Sequence, residues 1–149
     1  METSKNSELE NIEIFYAGGS YFNTWWFGAA IKADNCDISL KNSYIHENQN
    51  HGVWLRNSNS VIDNVKFFNH TTTQNEWAKA DAIYIQGGSP EIKNSYFDRQ
   101  TYGIYLDKYV AEDGTEIYPK ANLHADEFDL EPNIFVNTEK HNIFDALLP

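Results

Sequence analysis

Two residues with acid–base chemistry hold equivalent places in similar stretches of this chain. His51 precedes Gly52-Val53-Trp54-Leu55, and Asp81 precedes Ala82-Ile83-Tyr84-Ile85. An imidazole and a carboxylate in that relation can hold and pass a proton. Hydrolysis of a glycosidic bond usually needs two carboxyl groups flanking it, and no second acid recurs at the place of Asp81. Lys32 and Arg56 each follow an apolar residue at the end of such a stretch. There a cationic side chain could abstract a proton while calcium neutralised a substrate carboxylate. The densest acidic group is Asp126, Glu127, Asp129 and Glu131. Asp126 and Asp129 are its candidate calcium ligands, beside the plainer reading of a solvated acidic face. No Ser-His-Asp, Cys-His or phosphate-loop arrangement occurs, and the single cysteine, Cys36, has no partner for a bridge.

The elements that must carry these residues are short and recurrent. An apolar residue, a turn residue two places on and an apolar residue five places on recur as Leu9-Asn11-Ile14, Leu40-Asn42-Ile45, Ile62-Asn64-Phe67, Ile92-Asn94-Phe97 and Leu130-Pro132-Phe135. Between these frames lies a second unit: Gly28-Ala29-Ala30-Ile31, Gly52-Val53-Trp54-Leu55, Ala82-Ile83-Tyr84-Ile85, Gly103-Ile104-Tyr105-Leu106 and Asn142-Ile143-Phe144-Asp145. The frames start 31, 22, 30 and 38 residues apart, so a basic turn of 22 residues carries insertions. Helical periodicity is absent, and no run approaches the length of a membrane span. Runs too short to bury their own apolar faces, returning at a near-constant period, predict stacked rungs. Equivalent residues would then form ladders about 4.8 Å apart. Asn11, Asn42, Asn64 and Asn94 would stack at one corner, amide on amide.

Three stretches, Gly-Val-Trp-Leu-Arg-Asn-Ser (52–58), Gly-Ile-Tyr-Leu (103–106) and Asn-Ser-Tyr-Ile-His-Glu-Asn (42–48), resemble the repeats of right-handed parallel β-helix proteins of the pectate-lyase-like superfamily. The resemblance covers residues 9–145 and implies an all-β, single-stranded solenoid of about five rungs. Residues 1–8 would be a polar extension, 15–27, 70–80 and 107–122 insertions, and 146–149 a tail. The superfamily includes polysaccharide lyases, glycoside hydrolases, tailspikes, adhesins and non-catalytic surface domains. The stretches around Asp81 and His51 faintly resemble polygalacturonase motifs. They depart from them in chain order, in Asn50 standing for a glycine, and in the missing second acidic motif.

Strand alternation sends Val53, Leu55, Ile83, Ile85, Ile104 and Leu106 inward and Trp54, Tyr84 and Tyr105 outward, with Ala30 heading the outward column and Phe144 extending it. The next outward column reads Lys32, Arg56, Gln86 and Asp107. Flat aromatic faces beside cations and amides suit saccharide rings and their hydroxyls; cross-rung packing of the rings is the competing explanation. The insertions carrying Trp25, Trp26 and Trp77 leave one corner above and below the Trp54 rung and would wall a groove, while 107–122 has no assigned task. The expectation is a polysaccharide- or glycan-recognition domain with Trp54, Tyr84, Tyr105, Arg56, Gln86, Trp25, Trp26 and Trp77 at the site. A lyase or hydrolase fragment using Asp81, His51, Arg56 or Lys32 is one alternative, and an assembly module of an adhesin or tailspike is the other.

The charge of -11 argues against nucleic acid and anionic lipid as partners. It is uneven, with 12 acids and 8 bases in residues 1–106 against 10 and 3 in 107–149. The outward face with Lys32 and Arg56 therefore need not repel an acidic polymer. No cofactor other than calcium is expected. No leader follows Met1, so the expectation is part of a larger extracellular or cell-surface protein. End-to-end or lateral self-association would cover open strand edges.

Overall fold

The computed structural model describes residues 7–17, 28–70, 80–125 and 129–147. Their strands follow one another in threes. The first rung is β1 (Ser7–Glu10), β2 (Glu13–Phe15) and β3 (Ala29–Asp34), and the second β4 (Ile38–Lys41), β5 (Tyr44–His46) and β6 (His51–Arg56). The third is β7 (Val61–Asp63), β8 (Lys66–His70) and β9 (Asp81–Gln86), and the fourth β10 (Glu91–Lys93), β11 (Tyr96–Gln100) and β12 (Tyr102–Asp107). An antiparallel hairpin of β13 (Tyr109–Val110) and β14 (Glu116–Ile117) follows, then β15 (Ile134–Val136) and β16 (His141–Asp145) of the fifth rung. Corresponding strands pair in parallel. Three sheets therefore run along the axis, in the orders β1-β4-β7-β10, β2-β5-β8-β11-β15 and β3-β6-β9-β12-β16.

The corners explain why the chain spends so much asparagine. Asn11, Asn42, Asn64 and Asn94 stand just beyond the first-sheet strands with φ between 49° and 56°, and eight asparagines among the described residues have a left-handed backbone. A short carboxamide tolerates that conformation better than other side chains with a Cβ. The expected amide ladder forms only in part. Asn64 donates to Asn42 at 2.7 Å, but Asn42 donates to Glu10 and Asn94 to Asp63, each at 2.8 Å. Where a carboxylate lies in reach, it is the stronger acceptor.

Alternation sends one ladder of each sheet inward. Leu40, Ile62 and Ile92 meet Phe67, Phe97 and Ile45 from the second sheet and Val53, Leu55, Ile83, Ile85 and Ile104 from the third, all fully buried. Phe97 stacks between Phe67 (5.1 Å) and Phe135 (4.6 Å). Each such side chain contributes about 1.5–3 kcal/mol by leaving water.

Two positions differ from the sequence expectation. Leu130 is 96% exposed. The first-sheet place of the fifth rung goes to Leu123, which packs on the core just after Asn122 bridges Glu91. The chain then leaves the rung and returns at Glu131, whose carbonyl accepts from the Asn94 N–H. Asn133 closes the opening from inside, accepting from the Ser95 N–H and donating to the carbonyls of Ile92 and Leu123. The second difference is a shift in β3. Lys32, not Ala30, pairs with Trp54, so Asp34 takes the place expected for Lys32 beside Arg56. Small side chains at Gly28, Ala29 and Ala30 fit either register, and the inward seats of Ile31 and Ala33 decide it.

Candidate functional site

The outer face of the third sheet collects most of the candidate residues. Lys32, Trp54, Tyr84, Tyr105 and Phe144 lie in one in-register column, one residue per rung. The rings touch but do not form one plane: Trp54 and Tyr84 are 5.7 Å apart and tilted by 43°, and Tyr84 meets Tyr105 edge-on at 5.5 Å. Trp54, Tyr84 and Phe144 are half-buried, whereas Tyr105 is only 6% exposed and packs also against Tyr102 and Phe144. Tyr105 thus supports its neighbours more than it offers a face. The Lys32 ammonium lies 4.2 Å from the centre of the Trp54 ring, a cation–π contact.

The polar groups beside this column hold the rings by their ends. Trp54 Nε1–H donates to Gln86 at 3.0 Å, and the Tyr84 hydroxyl donates to Asp107 at 2.8 Å. Burial, reinforced by Asp107, pushes the Tyr84 phenol far above its ordinary range. Arg56 grips both oxygens of Asp34 with two nitrogens, and Lys32 lies 3.5 Å from the same carboxylate. Neither cation sits as an isolated base.

His51 and Asp81, opening β6 and β9, do come together, with Nδ1 3.2 Å from Oδ2 and both side chains at most 2% exposed. The His51 ring stacks on Tyr84 at 4.7 Å and meets Trp54 edge-on at 6.0 Å. His51 thus brings the pair up against the two aromatic rings.

The 107–122 insertion acquires a position. Its hairpin folds against the third corner, where Tyr109 and Ile117 approach Gly87 so closely that a Cβ there would meet them at 3.0–3.1 Å. The Lys120 N–H donates to Gly88, and Arg56 lies over the Tyr109 ring at 5.5 Å. Lys108, Glu116 and Tyr118 lace the hairpin together, and these bonds hold the Glu116 carboxyl below its usual range. The hairpin therefore borders the aromatic face at the strand ends. Residues 18–27 and 71–79 join β2 to β3 and β8 to β9 at the strand starts. Trp25, Trp26 and Trp77, the expected walls, lie outside the described residues, as does Asp126. Asp129 lies away from this face and bonds His124.

A concavity of about 310 Å³ opens elsewhere, at the first corner, lined by Asn11, Ile12, Glu13, Asn42 and Tyr44. Glu13 is its one charged lining residue, and its carboxylate is held by His46 at 3.0 Å. The third-sheet face, with its anchored rings and the His51–Asp81 pair against them, is the better candidate.

Parallel strands stacked rung on rung with three turning corners define a parallel β-helix. The family described as the right handed beta helix region matches residues 28–111, more than half of the chain. The chain belongs to that family, and its fold is the right-handed parallel β-helix expected from the repeats. Searches of curated proteins and of solved structures gave no match.

Proposed function

We propose that this β-helix recognises a glycan on the outer face of its third sheet. The observation that carries the reading is the pair Trp54 and Tyr84. Both rings are half-exposed, 5.7 Å apart, and pinned at their polar ends by Gln86 and Asp107. Rings held before a ligand arrives lose little freedom on binding, which favours stacking against the apolar faces of sugars. Gln86, Arg56 and Lys32 supply polar contacts at the rim, and the 107–122 hairpin flanks the face. The domain would act outside the cell or at its surface, within a larger protein, where such polymers are met.

Polysaccharide cleavage has less support. Asp81 is buried with His51, and the other carboxylates of the face, Asp34 and Asp107, are held by Arg56 and Tyr84 rather than set as a flanking pair. Lys32 and Arg56 are both engaged by Asp34. Glycan-array binding followed by calorimetry, on wild type and Trp54→Ala, tests the proposal. The expected result is a saccharide ligand whose binding is lost in the variant. Absence of any ligand, or unchanged affinity in the variant, overturns it.

A further inference from the structure

A second cluster lies on the outer side of the first sheet, where the fifth rung begins. Glu91 opens β10, the chain comes back to it at Asn122, and after the excursion it returns at Glu131. His124 sits at the turning point with a side chain only 11% exposed. Its Nδ1 donates to Asp129 at 2.9 Å, while its Nε2 accepts from the Asn122 amide at 2.9 Å and faces Glu91 Oε1 at 3.2 Å. A Glu131 oxygen completes a set of three donor atoms that all lie within 4.8 Å of one another.

The imidazole distinguishes this group from a solvated acidic patch. Asp129 occupies Nδ1, so the lone pair is on Nε2, which faces Glu91 and accepts from the Asn122 side-chain amide that a metal would displace; a carboxylate on the far nitrogen is how a metal-binding histidine is oriented. Charge points the same way. With His124 neutral, Glu91, Asp129 and Glu131 outweigh Lys93 by two negative charges, the amount that one divalent cation neutralises. We propose that Glu91, His124 and Glu131 bind a divalent transition-metal ion, zinc above all, with Asp129 holding His124 in place.

The geometry requires little adjustment. Bonds of about 2.1 Å in a tetrahedral site set donors roughly 3.4 Å apart, and His124 and Glu91 already stand at 3.2 Å. Glu131 has to close in by on the order of 1 Å, and its side chain is 43% exposed. Lys93 now contacts both Glu131 oxygens at 3.0 Å; one of them turns to the metal and the other keeps the lysine. A fourth position remains for water. A nitrogen donor selects against calcium, which takes oxygen ligands. Because Glu91 belongs to the fourth rung and His124 and Glu131 to the fifth, the ion ties the last turn of the coil to the rest.

Titration calorimetry of the whole chain with Zn²⁺ in a non-coordinating buffer, with Ca²⁺ in parallel, tests the site. One equivalent of Zn²⁺ should bind and raise the unfolding temperature. His124→Ala and Glu131→Gln should abolish that binding, Asp129→Asn should weaken it by about tenfold, and His46→Ala and His141→Ala should leave it unchanged. Glu131→Gln changes an exposed side chain and keeps the test valid if His124→Ala misfolds. Absence of Zn²⁺ binding, preference for Ca²⁺, or binding that survives both ligand substitutions would overturn the proposal.

Discussion

The Trp54 indole and the Gln86 carboxamide are joined across adjacent rungs by a 3.0 Å hydrogen bond from Nε1–H to Oε1. The bond fixes the ring about its own side-chain torsions, so Gln86 acts on any stacked ligand through Trp54 as well as directly. Gln86→Leu keeps the bulk and removes the acceptor. Glycan affinity should fall by roughly three- to tenfold, the equivalent of about one neutral hydrogen bond, while Trp54→Ala should remove binding. Calorimetry with the ligand found on the array separates the two. Equal affinity of wild type and Gln86→Leu would mean that ring anchoring is irrelevant.

The third corner tolerates no side chain at one of its two glycines. Gly88 has φ +79°, and a Cβ there would stand 2.3 Å from the Ser58 carbonyl oxygen and 2.5 Å from its nitrogen, both rigid backbone of the rung below. Gly114 in the hairpin has a similar φ of +84° but nothing within 4 Å. Gly88→Ala should therefore cost about 2–4 kcal/mol from strain and overlap together, and Gly114→Ala about 1 kcal/mol from backbone strain alone. Urea midpoints measure both, and similar losses would refute the close approach.

The inner ladders were legible in the sequence because they obey two simple periods at once. Alternation along the strand and a fixed five-residue offset across the first corner place Leu40, Ile45, Ile62, Phe67, Ile92 and Phe97 without ambiguity. Legibility failed where side chains carried no size information. Ala29 and Ala30 fit either register, so the pattern alone sets Lys32 beside Arg56, whereas it lies on Trp54. It failed again where two leucines compete for one seat. Leu130 has the expected spacing to Phe135, yet Leu123 takes the inward place because the buried Asn133 can close the gap behind it. The His124 cluster left no local pattern, since Glu91 is 33 residues away and only rung stacking brings it near.

Within the second sheet, Phe97 is the middle ring of three and has no access to solvent. Phe97→Ala should cost about 3–5 kcal/mol, because the rungs above and below hold Phe67 and Phe135 apart and the cavity cannot collapse. Phe15 lies in the same sheet on its outer side, stacked on His46 but 53% exposed, and Phe15→Ala should cost about 1 kcal/mol or less. Denaturant unfolding of the two variants distinguishes them, and comparable losses would count against the stacked core.

Burial of His70 predicts how the fold responds to acid. The imidazole is 1% exposed at the end of β8, against Gly52, with Nε2–H donated to the Ile45 carbonyl at 3.1 Å. Loss of hydration lowers its pKa from 6.5 to about 3, with the Ile45 bond opposing in part and the nearby His51 and His46 adding to the fall. Between those two values the unfolded chain binds a proton that the folded chain refuses. Stability is therefore fully present above pH 6.5 and falls as the pH drops toward 3, by up to about 1.4 kcal/mol per pH unit. His124 acts oppositely. Its bond to Asp129 raises its pKa, so its contribution is present at low pH and fades as the pH rises through that value. The two are separated by comparing wild type with His70→Gln, which keeps an N–H for Ile45 and does not titrate. Urea midpoints measured from pH 7.5 to 3.5 should fall less steeply in the variant, and parallel curves would show that His70 does not exclude a proton in the folded state.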